Sequence, residues 1–452
     1  MNRIVKKDHN YVRFVALFAL LAVIIFVRYG LQINIPRVVA LIPIIAIALL
    51  GSQTEIIAVC MCLIPMHESL DFYYALVSVV IIYVIKFYRR MKINGSLILL
   101  CIVVIWELLH CFTTDFSPVT FVTTLAPIIA LTVFLCSDFS DVDYAFVIRS
   151  VAVSAVVICV TMLVQVAWIS QFNFTVLLMN LRRLGALSEA AAGKLNISGG
   201  LVQTNSLGVI CVLITTGLLQ LRMFSENKRR DIFFILALLI FGTFTASRTF
   251  LVCLVLMILL VIVGQKGFGK KLRYFGLIIL AIGFVVLVFS VFFPEQLKYF
   301  VGRFNVEDIT TGRDDLMIAY HEFITENPKV MFFGIGLQNY GDKLVTFYRV
   351  ANNVPHNSIQ EIIIAWGIIG LLLFVALIAM TIHASRKHVH KQSVLNYIPL
   401  IIILFKSVAG QFLTSGYSML ALSYAYLSLC QNFVSEKDTI RLFLQSSELS
   451  EI

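Results

Sequence analysis

Apolar runs, most of them about 15–25 residues long, recur along the whole chain. They lie near 14–28, 36–50, 55–66, 72–87, 96–112, 118–136, 144–168, 200–221, 231–246, 249–264, 274–293, 359–382, 395–413 and 417–434. Runs of this length match the hydrocarbon thickness of a bilayer. Inside lipid the backbone must satisfy its own hydrogen bonds, so a spanning segment is a helix or part of a closed barrel. The alternation of a barrel strand is absent. An all-α, polytopic transmembrane bundle of about 14 helices is therefore expected. Composition agrees: the 452 residues are 60% hydrophobic and 13% charged, where a soluble domain carries roughly a quarter charged residues. The runs at 36–50, 55–66 and 249–264 are short and suit tilted, kinked or re-entrant segments.

The net charge of +10 invites a nucleic-acid reading, and its placement argues against one. If the N-terminus is cytoplasmic, the basic clusters at 3–13, 86–92, 222–230, 266–273, 386–391 and 437–441 all fall on one side. That is the positive-inside pattern, and a wrong segment count would break it downstream. Both termini are then cytoplasmic, with the first helix retained rather than cleaved as a signal. Two longer stretches, 170–199 and 294–358, fall outside. The expected organisation is residues 1–293 as helices 1–11, 294–358 as one large helical extracytoplasmic loop, and 359–452 as the last helices and a cytoplasmic tail. The 9 cysteines sit almost entirely inside apolar runs and read as small buried hydrophobes.

Outer arginines work against the orientation signal and need a reason. Arg248, in Thr-Ala-Ser-Arg-Thr-Phe at 245–250, has almost no loop around it and lies at the outer membrane surface. It either snorkels from a helix end or binds an anion. Arg313 opens an expected helix that Asn327-Pro328 stops. Free N–H groups, the helix dipole and a guanidinium fork would together suit a diphosphate. A salt bridge from Arg313 to Asp315 or Glu307 is the structural alternative. Arg303 is a weaker candidate for the same anion. Gly334-Ile-Gly336 marks a tight turn or a close approach to backbone, without a dinucleotide fingerprint around it. His356 precedes Ser358-Ile-Gln-Glu361, which has the form of a capping box. At a helix N-terminus its pKa is lowered, which suits a general base; a packing role for the Pro-His-Asn turn stays open. No metal site is expected. His321 and His356 are far apart, and Asp141-Val-Asp143 falls on the inner side.

Taken together these stretches resemble the O-antigen ligase and polysaccharide polymerase superfamily, integral-membrane glycosyltransferases with a GT-C-like architecture. The resemblance runs over about 200–382. It rests on Asn205, Ser247-Arg248, Gly312-Arg313, Pro328, Gly334 and Gly336, His356-Asn357, and Gly367 and Gly370, in the family's order. It implies that Arg248, Arg313 and Arg303 hold a lipid diphosphate and that His356 activates an acceptor hydroxyl. Asn205, Ser247, Gly312, Gly334, Gly336 and Asn357 would support them. It further implies metal-independent inverting transfer with no cofactor. A Trp that often follows the family's Gly-Arg is replaced here by the region of Met317 and Tyr320, which bears on loop packing.

The expected function is polymerisation of a capsule, exopolysaccharide or O-antigen type glycan at the cell membrane. Donor and acceptor would be undecaprenyl-diphosphate-linked oligosaccharides, and the partners membrane lipid, a chain-length regulator and a flippase, with no nucleic acid. Ligase-type transfer to a different acceptor is the close alternative. A transporter of lipid-linked oligosaccharides is the rival from another class. It should carry charges near mid-membrane, where Lys406 is almost the only deeply placed basic residue.

Overall fold

A computed structural model describes residues 11–111, 117–139, 141–173, 201–224, 228–265, 267–292, 294–302, 313–340, 344–351, 354–386, 394–408, 410–413 and 415–429. Every apolar run of the sequence coincides with a helix. The first seven are α1 (Val12–Ile25), α2 (Leu41–Leu50), α3 (Gln53–Met66), α4 (Phe72–Phe87), α5 (Gly95–Cys111), α6 (Pro118–Cys136) and α7 (Tyr144–Ile169). Then come α8 (Thr204–Phe224), α9 (Lys228–Phe244), α10 (Arg248–Val263) and α11 (Phe268–Phe292). The large loop carries α12 (Pro294–Gly302), α13 (Arg313–Glu326) and α14 (Pro328–Phe333), and α15 (Ser358–Arg386), α16 (Val394–Val408) and α17 (Gly416–Leu429) close the bundle.

Helix starts follow local chemistry. Ser52 and Glu55 form a reciprocal capping box on α3, which satisfies two otherwise orphaned N–H groups. Ser117 caps α6 ahead of Pro118, whose missing N–H costs nothing at the first helical position. Asp143 caps α7 by accepting from Phe146 N–H at 3.0 Å.

Two short helices form the centre. In α3 every residue but Glu55 is buried, and in α17 every residue is buried. The two helices pack on each other; α3 also lies along α7, and α17 along α6. With 14 residues, α3 rises about 21 Å, short of a hydrocarbon core of about 30 Å. Its neighbours screen it from lipid. Among the described residues, five helices are long and apolar enough to span by themselves: Val12–Gly30, Phe72–Arg90, Pro118–Cys136, Tyr144–Trp168 and Ser358–Ala384. The peripheral helices turn apolar faces outward, with Ile81 and Ile85, Ile98 and Ile105, and Leu280 and Leu287 exposed. A belt of that size calls for lipid, not water. The chain is an all-α, multi-pass membrane protein.

Three expectations are corrected. The 36–50 run begins as a 3-10 turn, Arg37–Ala40, before α2. The 395–413 run stops being helical at Val408, so Lys406 lies in the last turn of α16. The 359–382 helix is broken at Gly367, where φ is 72°. Asp141 and Asp143 serve structure: Arg90 pairs with Asp141 at 2.8 Å, and the Tyr11 hydroxyl donates to Asp143 at 3.2 Å. On α7, Arg149 makes a two-pronged pair with buried Asp231 of α9, at 2.9 and 3.0 Å.

Candidate active site

The turn between α9 and α10 is as tight as the sequence requires. Phe244 ends one helix and Arg248 opens the next, with Ala246 at a φ of 46°. Ser247 is the cap of α10. Its hydroxyl accepts from Phe250 N–H at 3.3 Å and donates to Asn205 Oδ1 at 2.9 Å. The start of α8 is thereby tied to the start of α10, which sets where Arg248 emerges.

Arg313 is the first residue of α13. Burial lowers its pKa from the ordinary arginine value, and the positive charge of Arg248 lowers it further. The two guanidinium groups are therefore close enough to repel, although 64 intervening residues separate them in the chain. His356 joins them. Burial lowers its pKa below the ordinary 6.5, and the charges of Arg313 and Lys406 push the same way. The direction is the one expected at a helix mouth, but its causes are burial and two neighbouring cations. Arg313 is thus coupled electrostatically both to Arg248 and to His356. Arg303 and Gly312 lie outside the described residues.

The turn that carries His356 is held differently from the expected capping box. Asn357, not Ser358, caps α15: Ile359 and Gln360 N–H donate to its Oδ1 at 2.9 and 3.3 Å. The Ser358 hydroxyl donates instead to Gly410 O at 2.7 Å. Buried Glu361 reaches away from its own helix start and accepts from Phe412 N–H and, at 3.1 Å, from Leu413 N–H. These bonds fasten the His356 turn to the segment joining α16 and α17. Tyr340 donates to Pro355 O at 3.4 Å on the other side.

Lys406 finds its partners where α16 ends. It is buried, donating to Gln411 O at 2.8 Å and Ser418 Oγ at 2.7 Å. Its ammonium lies 4.7 Å from the Tyr417 ring centroid. An apolar run continuing to residue 413 hid the fact that the helix ends at Val408.

The Gly-Ile-Gly turn approaches a backbone, and that backbone is protein. Ile335 and Gly336 N–H donate to Ile364 O and Ala365 O, each at 2.8 Å. A Cβ on Gly334 would stand 2.4 Å from Ala365 O, and one on Gly367 would stand 2.1 Å from Phe332 O. Both residues have positive φ, so glycine is demanded twice over at this crossing of α14 with the α15 break. The crossing is clamped from α5, by residues the sequence reading passed over. Leu337 N–H donates to both oxygens of buried Glu107, at 3.0 and 3.1 Å, and Trp366 Nε1 donates to the same carboxylate at 2.7 Å. Trp106 Nε1 donates to Trp366 O at 3.1 Å, and His110 Nε2 lies 2.7 Å from Phe333 O. A carboxylate inside an apolar run was the available signal. Tyr320, in the region where the family often has Trp, is fully buried in a cluster with Ile324, Val330 and Tyr340, and Gln360 donates to Met317 O at 2.7 Å. These contacts pack the loop.

No curated protein matches the chain. A family model described as O-antigen ligase matches residues 232–375, the stretch from α9 to the middle of α15. It takes in Ser247, Arg248, Arg313, the Gly-Ile-Gly turn and His356, and leaves Asn205 and Lys406 outside. Over residues 232–375 this chain is similar to the O-antigen ligase family, a likeness that supports the wider superfamily of O-antigen ligases and polysaccharide polymerases.

Proposed function

We propose that this protein polymerises a cell-surface polysaccharide, moving a glycan from an undecaprenyl-diphosphate carrier to a sugar hydroxyl of another lipid-linked repeat unit. What supports the reading is the electrostatic coupling of Arg313, on one side to Arg248 and on the other to His356, each from a separate element. Like charges are costly to gather unless an anion is to be bound there. A diphosphate leaving group is such an anion.

In the proposed reaction, neutral His356 takes the proton of the acceptor hydroxyl. The oxygen attacks the anomeric carbon from the face opposite the carrier, and the new glycosidic bond forms as the carbon–oxygen bond to the diphosphate breaks. The departing electron pair resides on the diphosphate, where Arg248 and Arg313 stabilise it. Configuration inverts in this single displacement. The family resemblance supports a transfer that uses guanidinium charge in place of a metal. Arg303 and Gly312 would assist from the loop, Asn205 and Ser247 by setting Arg248, Asn357 by setting His356, and Gly334 and Gly336 by seating the loop.

The charge pattern supports a cytoplasmic-membrane location with both termini inside and the site outside. On this reading residues 1–293 and 359–452 form the membrane body and its tail, and 294–358 the outer loop. Membrane lipid, a flippase and a chain-length regulator would be its partners. The family description favours a second reading, transfer to a non-identical acceptor as in a ligase. The test is a His356→Ala strain: single-repeat product should accumulate while the protein stays abundant in membranes. Full-length polymer at normal levels would rule out His356 as the base.

A further inference from the structure

A cavity lies among α2, α3, α4, α6 and the start of α8, and neither the family match nor the mechanism uses it. It encloses about 660 Å³ and is lined by Arg37, His67, Glu68, Asp71, Tyr74 and Gln203, among others. That volume is within the range of about 300–1,000 Å³ that houses a small ligand. Arg37 begins the turn before α2, His67 to Asp71 join α3 to α4, Tyr74 is on α4, and Gln203 precedes α8. All lie outside residues 232–375.

We propose that this cavity is a carbohydrate subsite, seating the sugar of the lipid-linked repeat next to the transfer centre. The assignment rests on the glycosyl-transfer reading and deepens it. Three observations carry it. The first is continuity. The His67 ring lies 4.7 Å from the Tyr417 ring, and the same Tyr417 ring carries the Lys406 ammonium at 4.7 Å. Gln203 stands two residues before Asn205, which holds the cap of the Arg248 helix. The cavity is therefore linked through His67 and Tyr417 to Lys406, and along the chain through Gln203 to Asn205.

The second is charge. Two carboxylates, Glu68 and Asp71, face one guanidinium, Arg37, and His67 Nε2 lies 3.2 Å from Glu68. Such a wall carries no net positive charge, so the cavity is not a second copy of the arginine site. It suits a neutral ligand rich in hydroxyl groups. Carboxylates accept from hydroxyls, while an amide and a guanidinium donate to them.

The third is shape chemistry. A sugar ring has an apolar C–H face and a polar rim. Phe72, Tyr73 and Tyr74 also line the cavity and offer apolar ring surface. Asp71 stands at the cap position of α4, yet its side chain makes no cap bond to that helix, which leaves its carboxylate to the cavity.

The experiment uses the full chain in detergent and carrier-free oligosaccharides made by partial hydrolysis of the polysaccharide of the source cells. Binding is read by saturation-transfer NMR, and transfer by the KM for each lipid-linked partner. Asp71→Asn preserves shape, and Tyr74→Ala removes an already exposed ring. Each should weaken fragment binding about tenfold and raise KM about tenfold at little change in kcat, with unaltered thermal unfolding. The partner whose KM rises, donor or acceptor, names the source of the seated sugar. His356→Ala should bind fragments as the unaltered protein does while failing to transfer. Fragment binding that is absent from the unaltered protein, or unchanged in Asp71→Asn, overturns the subsite. Transfer surviving in His356→Ala would instead count against the catalytic reading and leave the binding result standing.

Discussion

Two polar constellations sit close together in this molecule and are built on opposite principles. At the crossing of α14 and α15, Glu107 is buried in an apolar helix, yet it accepts from Leu337 and Trp366. Nearby polar atoms of Trp106 and His110 are matched as well. Around His356 cations recur instead: Arg248 lowers the pKa of Arg313, and Arg313 and Lys406 lower that of His356. A buried acid with its donors satisfied is a structural joint. Perturbed protonation of neighbouring groups is characteristic of functional sites. The contrast teaches which buried charges to read as scaffold and which as chemistry.

Substitutions on either side should separate the two. His356→Ala should cut the transfer rate by about 100- to 10,000-fold with thermal unfolding unchanged, measured on purified protein with lipid-linked repeats. If the unfolding temperature fell as far as activity, His356 would belong with the scaffold. Glu107→Ala should do the opposite. Two buried donors lose their acceptor, costing about 3 kcal/mol of stability, seen as lower melting and faster proteolysis of the loop. A stable but inactive Glu107→Ala protein would erase the distinction.

Arg248→Lys retains charge but loses the two-pronged fork, and about a tenfold fall in transfer is expected. Unchanged activity there would argue against bidentate diphosphate binding. Ser247→Ala removes a helix cap worth about 1 kcal/mol and the bond to Asn205, so a smaller loss of both stability and rate should follow. The finest test is pH. His356 acts in its neutral form, and its pKa lies below 6.5, so activity should hold at neutral pH and fall as pH drops through that lowered value. Arg313→Gln deletes one of the charges that lower it. In that weakened enzyme the acid limb should move up, toward 6.5, and a limb that stays put would dissociate Arg313 from His356.

The helices themselves were legible because each apolar run carries its own reason to be helical in lipid. The tight α9–α10 turn was legible too, since Thr245 to Ser247 leave no room for anything longer. Boundaries failed where apolar character outlasted the helix. The run to 413 hid the helix end at Val408, and Glu361 looked like a cap partner although it serves Phe412 and Leu413. Glu107 went unread because its partners lie more than two hundred residues away.

From the sequence alone came an all-helical membrane protein, with its cationic motifs at Arg248, Arg313 and His356 and the order in which they occur. Those follow from local hydrophobicity and short-range motif chemistry. Only the tertiary structure decided which charges meet, that Asn357 caps the His356 helix, that the Gly334 and Gly367 backbones cross, and that Lys406 and Glu107 matter. Those outcomes depend on packing between residues remote in the chain, and no local pattern encodes a distance of that kind.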